Sequence, residues 1–349
     1  MILNNLYQYF KIKTKNNFLK IDSISVVTTP MQIINCIEAI EHFKCTNNIL
    51  VILYKPRQKN NQQLEKIAEL YQWNKIIRIV LDPKKSRYLE YVKLIYTLKK
   101  YICKYLFIAN ITTIYMQIFI ANIQKNKVFL VDDGTATINI YDNIIVQNKI
   151  NQYSFKLFRF YFLGLKVKVL DEISLFTYFN LKSDHRFEIV KNNLTYFKKR
   201  LSQNMKDEES IIFLGQPLIE TGYITKEEYV KCLEAIKKIY KNTIIYIPHR
   251  FEKEDDKLNN LIDNNFFIKN IDIPIELYFI ENGINPKHII SFCTSAIFIL
   301  DKMYEFLLSE TIIIPKEKFL KNSNLFYTCY DSLKDQTKSK NITYKDLKL

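Results

Sequence analysis

Glycine is close to absent from this chain: its 349 residues contain five, at positions 134, 164, 215, 222 and 283. In a sequence that avoids glycine, each remaining copy marks a backbone position that other residues fill poorly. Histidine occurs four times, at 42, 185, 249 and 288. The six cysteines, at 36, 45, 103, 232, 293 and 329, form no CxxC pair and cluster with no histidine. This excludes a zinc module by spacing and reads as reduced core residues of a cytoplasmic protein. There is no internal repeat and no low-complexity segment. The opening MILNNLYQYFKIKTKNNFLKI lacks the apolar core of a signal peptide. Tyr105–Gln124 runs twenty residues without a charge, about the length of a spanning helix. But Asn110, Thr112, Thr113, Gln117 and Asn122 would then sit in hydrocarbon, so the segment reads as a buried strand, a turn at Asn110 and a buried helix.

What is present is ordinary globular stock, 48% hydrophobic and 25% charged, enough for a large core. At roughly 100–200 residues per domain the length suits two domains. The net charge of +15 has a bland reading, a bias toward lysine and asparagine along the whole chain. It also has a functional one, an acidic partner. With no nucleic-acid-binding motif in sight, anionic lipid or a negatively charged small substrate ranks ahead of nucleic acid.

Short apolar runs alternate with helical patterns. Strands are expected at 24–28, 49–54, 76–81, 105–109, 128–132 and 167–170, with helices such as 31–43 and 88–104 between them. Residues 187–210 read as a charged helical connector. The alternation restarts with strands at 211–215, 243–248, 266–269, 288–292 and 311–315, and a helix at 225–241 whose Thr225 and Glu228 form a capping box. Runs apolar on both faces belong to parallel sheets covered by helices. The expectation is α/β: an N-terminal Rossmann-like domain over 20–190 and a C-terminal one over 208–330, with the tail after Ser332 loosely held. Ligands of such sheets bind at the carboxyl ends of strands.

Those strand ends carry the unusual residues. VFLVD runs into Asp132-Asp133-Gly134; IIFLG opens GQPLIETG, Gly215 to Gly222; TIIYIP ends in Pro248-His249-Arg250. HIISF leads to Thr294-Ser295 at the start of an apolar helix, where hydroxyls and free N–H groups suit a phosphate, or simply cap the helix. A histidine and an arginine at a strand end suit an anion. His42 and His185 read as bland, His288 as structural. Each signal alone is weak; together they outline a transferase with carboxylates on one side and an imidazole and phosphate cradle on the other.

In order and spacing, these motifs resemble the bacterial sialyltransferases, with their acidic-acidic-glycine, His-Pro and Ser-Ser or Ser-Thr motifs. The chain most resembles glycosyltransferase family 52, the lipooligosaccharide sialyltransferases, through TTPMQ (28–32), LVDDGTATI, FLGQPLIETG, YIPHR, IPIELYF (273–279) and SFCTSAIFIL, from about residue 22 to 315. It departs in having His249-Arg250 for His-Pro, Thr294-Ser295 for Ser-Ser or Ser-Thr, and no recognisable N-terminal anchor. The resemblance implies a GT-B fold, two Rossmann-like domains facing a central cleft. It implies inverting, metal-independent transfer from CMP-sialic acid to a terminal galactose of lipooligosaccharide, through an alpha-2,3 linkage, with no cofactor. It implies donor contacts from Gly215, Gln216, Pro248, Arg250, Glu276, Thr294 and Ser295, with His249 on the leaving phosphate. Thr29, Gln32 and Gly134 fall on the acceptor side. The base is Asp133 by analogy with related families and Glu220 by analogy with family 52; Glu220 is favoured, with Asp132 and Asp133 shaping the acceptor side.

The expected partners are the nucleotide-sugar donor, an oligosaccharide acceptor and an anionic membrane face, with a homodimer left open and nucleic acid excluded. The membrane reading rests on SFKLFRFYFLGLKVKVL (154–170), aromatic and basic, placing the protein peripherally on the inner face of the bacterial inner membrane. Rival readings are a same-fold transferase using a hexose nucleotide and a non-catalytic basic protein that binds membrane or glycan. A metal hydrolase on Asp132-Asp133 lacks a third ligand at useful spacing.

Overall fold

The computed structural model describes residues 18–56, 58–80, 88–151, 155–182, 185–201, 205–253, 256–305, 307–321, 323–336 and 342–348. The reading of the N-terminus as free of a signal peptide falls mostly on residues 1–17, outside the described residues, as does Leu81, the end of one expected strand. The chain divides between Tyr196 and Phe197 into two units.

The first unit holds seven parallel strands: β1 (Leu19–Val27), β2 (Asn48–Tyr54), β3 (Lys75–Val80), β4 (Tyr101–Ile108), β5 (Gln124–Val131), β6 (Ile173–Thr177) and β7 (Ile189–Lys191). Their order in the sheet is β3-β2-β1-β4-β5-β6-β7. The central strands bury both faces, β2 over six consecutive residues, while edge strand β3 is partly exposed throughout. That is why the inner strands read as continuous apolar runs. The winding reverses between β1 and β4, which opens the crevice characteristic of this topology at the carboxyl ends of the strands.

The second unit has β8 (Lys206–Leu214), β9 (Ile244–Ile247), β10 (Phe266–Ile268), β11 (Ile284–Ser291), β12 (Leu308–Ile313) and β13 (Ile342–Asp346), in the order β10-β9-β8-β11-β12-β13 and again all parallel. Here the reversal lies between β8 and β11. Helix Lys226–Ile239 begins with half of the expected capping box: the Thr225 hydroxyl accepts from the Glu228 N–H at 3.2 Å, while the Glu228 carboxylate pairs with Lys231 at 2.8 Å and Lys318 at 2.9 Å.

Several expectations need correction. Residues 167–170 form no strand. Lys166 and Lys168 are exposed while Val169 is buried, and the backbone of Val169 is satisfied by Asn151, whose carboxamide accepts from its N–H at 2.8 Å and donates to its carbonyl at 2.9 Å. The strand is the fully buried ISLFT that follows. The helix read over 88–104 stops at Leu98, because the β-branched and aromatic YICKYLFI enters the sheet as β4. Residues 187–210 are less a connector than three elements: β7, the short helix Thr195–Lys199 and the start of β8. Among the described residues, the chain after Ser332 is not loose. Helix Ser323–Gln336 continues through it, and β13 pairs with β12, held by Glu310. This buried carboxylate accepts from His288 Nε2 at 2.9 Å and from Tyr240 and Lys345, and these partners hold its pKa down at about 2 against the pull of burial. The uncharged segment is strand β4, an Asx turn in which Asn110 accepts from the Thr112 N–H at 2.8 Å, and helix Ile114–Asn122. Among the described residues, no helix is long and apolar enough to cross a membrane. Five cysteines, 36, 45, 103, 232 and 293, are free and buried, and burial raises the thiols of 36, 45, 103 and 232 to about 12.

Candidate active site

In the first unit, Asp132-Asp133-Gly134 follows β5 directly. Asp132 is fully buried. Its carboxylate accepts from the Thr177 hydroxyl at 2.7 Å and the Tyr178 N–H at 2.8 Å, both at the end of neighbouring β6. Its backbone carbonyl accepts from Asn35 Nδ2 at 2.9 Å, and Asn35 Oδ1 accepts in turn from Nδ2 of Asn192, just past β7, at 3.2 Å. Burial raises the Asp132 carboxyl to about 7 against the opposing effect of the Thr177 hydroxyl and the Tyr178 N–H. Asp132 therefore fastens three strand ends and a helix together. Asp133 is half-buried and carries the other carboxylate; Gly134 turns the chain with φ +62°.

The TTPMQ segment lies beside this pair. Thr29, in extended backbone, precedes helix Pro30–His42, but its hydroxyl does not cap the helix. It donates instead to Asp133 Oδ1 at 3.3 Å. Gln32 is fully buried and folds back to accept from the Thr28 N–H at 2.7 Å, so it shapes the helix entry from below. Two motifs a hundred residues apart in sequence thus meet across the end of β4.

In the second unit, three adjacent strands, β9, β8 and β11, deliver the remaining motifs to one edge of the sheet. Gly215-Gln216 follows β8, Pro248-His249-Arg250 follows β9, and Thr294-Ser295 follows β11. Gln216 spans the winding reversal: its Oε1 accepts from the Cys293 N–H at 2.8 Å and its Nε2 donates to the Cys293 carbonyl. The Thr294 hydroxyl accepts from the Ala296 N–H at 3.3 Å, the capping role open to it from sequence. Ser295 occupies the N-cap position of helix Ala296–Met303 without a side-chain cap bond. Glu220 is half-buried, and its Oε1 accepts from the Lys253 N–H at 2.9 Å, which sets the carboxylate against the turn that carries His249.

That turn is built on a residue the sequence reading passed over. Glu252 is buried and accepts from the His249 N–H at 2.7 Å and the Tyr246 hydroxyl at 2.7 Å. The Tyr246 hydroxyl lies 2.8 Å from that of Tyr229, which accepts from the Gln216 N–H at 3.3 Å. One hydrogen-bonded chain therefore links the turns after β8 and β9. The available signal was a carboxylate three residues beyond His249, the spacing of a single turn. Within the turn, His249 Nδ1 accepts from the Phe251 N–H at 3.2 Å. A neutral His249 then carries its proton on Nε2, as a donor.

Glu276 is buried in the first turn of helix Ile275–Glu281. Burial raises its carboxyl to about 7, opposed by its own N–H and by the charge of Arg250. The sign follows from the two states. An unfolded Glu276 releases its proton near 4.5 and the folded one near 7, so the folded state holds the extra proton in between and stability falls as pH rises through that window. Glu276→Gln removes this slope, worth about 3 kcal/mol at most. Thermal melts between pH 5 and 8 should show a loss in the parent, shared with Asp132, that is roughly halved in the variant. Parallel slopes would mean that Glu276 stays ionised.

Among the described residues, no group of three histidine, cysteine, aspartate or glutamate side chains is placed to hold a metal ion.

Comparison with known proteins places these features in a family. The model of the alpha-2,8-polysialyltransferase family (POLYST) matches residues 23–306. No curated protein matches the chain. Among solved structures, a protein from Listeria monocytogenes described as a UDP-N-acetylglucosamine 2-epimerase is 12% identical, covers 85% of this chain and 79% of its own, and gives a TM-score of 0.56. MnaA from S. aureus, solved with UDP, is 12% identical, with coverage of 90% and 88% and a TM-score of 0.50. At such identities the likeness is one of fold: two Rossmann-like α/β units of the GT-B type. The family match carries the sialyltransferase reading of the motifs; it does not single out family 52.

Proposed function

Because this chain belongs to the alpha-2,8-polysialyltransferase family, we propose that it transfers sialic acid from CMP-sialic acid to the non-reducing end of a glycan, with inversion and without a metal. The observation that carries this reading is the family match over residues 23–306, which takes in every strand-end motif described above. It also shifts the acceptor: a sialic acid terminus, joined through an alpha-2,8 linkage, stands ahead of the terminal galactose that the family 52 resemblance implies.

The chemistry asks for three things, and the residues supply candidates for each. Charge builds on the phosphate of CMP as it leaves. His249 Nε2–H, the Ser295 hydroxyl and the N–H groups that open helix Ala296–Met303 are donors suited to it. Arg250 adds positive charge beside Glu276, which we assign to the nucleoside part of the donor. The attacking hydroxyl must lose a proton to a carboxylate. We assign that role to Glu220, since its carboxylate lies against the His249 turn, and assign acceptor positioning to Asp133 and Thr29. The transition state is a sugar cation, so placement and electrostatics matter more than a covalent intermediate.

The test is transfer from CMP-sialic acid, with chelator present, to a lactose-type acceptor and to an alpha-2,8-linked sialyl oligomer. His249→Ala should lower kcat by roughly 10²–10³-fold, the effect of removing one donor to a developing anion. Glu220→Gln should lower kcat with the acceptor KM little changed, whereas Asp133→Asn should raise that KM. The fold is shared with a UDP-bound protein, so UDP competition is the control. Binding of UDP but not CMP would replace the donor with a hexose nucleotide. Activity untouched by both His249→Ala and Glu220→Gln would leave the non-catalytic binding reading.

A further inference from the structure

The segment between Phe155 and Leu170 does two opposite things. Phe160, Leu165 and Val169 are buried in the core of the first unit. Phe155, Tyr161 and Phe162 are 83%, 63% and 76% exposed, and Phe158 is exposed beside them. Water is a poor surrounding for that much aromatic surface, and here it is concentrated in eight residues of one short helical stretch.

The exposed rings form a built surface. At positions 155, 158 and 162 they follow helical spacing and so share one face. Phe155 and Phe158 stack with centroids 6.3 Å apart, and Phe158 and Phe162 stack at 6.4 Å, each pair at 29°. The backbone beneath is pinned from several sides. The Tyr96 hydroxyl donates to the Leu163 carbonyl at 2.7 Å. Asn122 donates to the Lys166 carbonyl at 2.7 Å and accepts from its N–H at 3.0 Å. Asn151 holds Val169 in the same way. The aromatic face is thus held out on a fixed scaffold.

Its charge selects the occupant. From 155 to 170 there are four basic residues and no acidic one, and Lys166 and Lys168 are exposed. Arg159 packs over the Tyr88 and Phe160 rings, 5.2 and 4.9 Å from their centroids, adding positive charge at the base of the face. A second copy of the chain, meeting this face symmetrically, would set lysine against lysine. An anionic bilayer meets both demands, taking the rings into its interface and the lysines at its phosphates.

We propose that the face made by Phe155, Phe158, Tyr161 and Phe162, with Lys166 and Lys168, seats the first unit on an anionic phospholipid membrane. The surface is independent of the sugar donor. The test is co-sedimentation of the full chain with phosphatidylcholine vesicles with and without phosphatidylglycerol. The expected result is binding to the phosphatidylglycerol vesicles alone, weakening as salt is added. The combined Phe155→Ser, Phe158→Ser, Phe162→Ser variant should lose binding by about tenfold or more. Lys166→Ser and Lys168→Ser should each lose about fivefold. Because these side chains are exposed, the melting temperature should not move and serves as the folding control. Three outcomes overturn the proposal: a parent chain that stays in solution with both vesicles, vesicle binding that the three serines leave unchanged, or a dimer abolished by the serines in a chain that binds no vesicle.

Discussion

A single methyl group at Gly215 should cost the protein about 1–3 kcal/mol of stability, the usual range for overpacking, together with most of its transfer activity. A Cβ there would stand 2.4 Å from Glu252 Oε1, 2.5 Å from the Tyr246 hydroxyl and 2.7 Å from Cζ of the same ring. The ring has nowhere to retreat. It is fully buried and stacked on Phe213 at 5.3 Å and 12°, with Phe266 also against it. Relief must come from Glu252, and Glu252 holds the His249 N–H. Gly215→Ala therefore acts on packing and on the imidazole together. Denaturant midpoint and kcat should fall in step; an unchanged midpoint would show that the turn absorbs the methyl.

The second large effect belongs to Glu252 itself. Glu252→Ala leaves the Tyr246 hydroxyl and the His249 N–H without their acceptor in a buried place, a loss of about 3 kcal/mol. Glu252→Gln keeps the shape but offers only one acceptor oxygen where the carboxylate offers two. It should fold with a smaller penalty and lose kcat by about tenfold or more, because it acts by positioning His249. A double-mutant cycle separates this from general damage. If Glu252 works through His249, adding Glu252→Gln to His249→Ala lowers kcat little further. Full multiplication of the two losses would make Glu252 a purely structural residue.

Most of the strands were legible because burial on both faces leaves an unbroken apolar run, and the structure places strands at ILVILY, VFLV, IIFL and IIYI. The misses share a cause. Val169 looks like part of a strand, yet its backbone partners come from the side chain of Asn151, and no local pattern announces a carboxamide acting as a neighbouring strand. Strand β7 is three half-buried residues at a sheet edge, too short and too mixed for a period to show. At the site, the residues that punctuate strand ends could be found because glycine and histidine are rare here. Those that hold them could not. Thr177, Asn35 and Asn192 beneath Asp132, and Tyr229, Tyr246 and Glu252 beneath His249, are common residue types drawn together only by the fold. Even Asp132, singled out with Asp133 for its charge, turns inward and fastens strand ends.

The reversal of winding in each sheet also governs how the chain comes together in time. Strand β1 sits in the middle of its sheet, and its second edge waits for β4, where Ser23 meets Tyr105. In the other sheet β8 waits for β11, where Ile212 meets Ile289. Each of these central strands is the first of its unit to leave the ribosome, and its second neighbour is made only after two other strands of the same sheet. Pairings that distant in sequence fold slowly, and until they form, the apolar SISVV and SIIFL present open edges to any other chain nearby. Crowded, rapid synthesis should therefore favour aggregation of this protein, and slower synthesis with chaperones should raise its soluble yield.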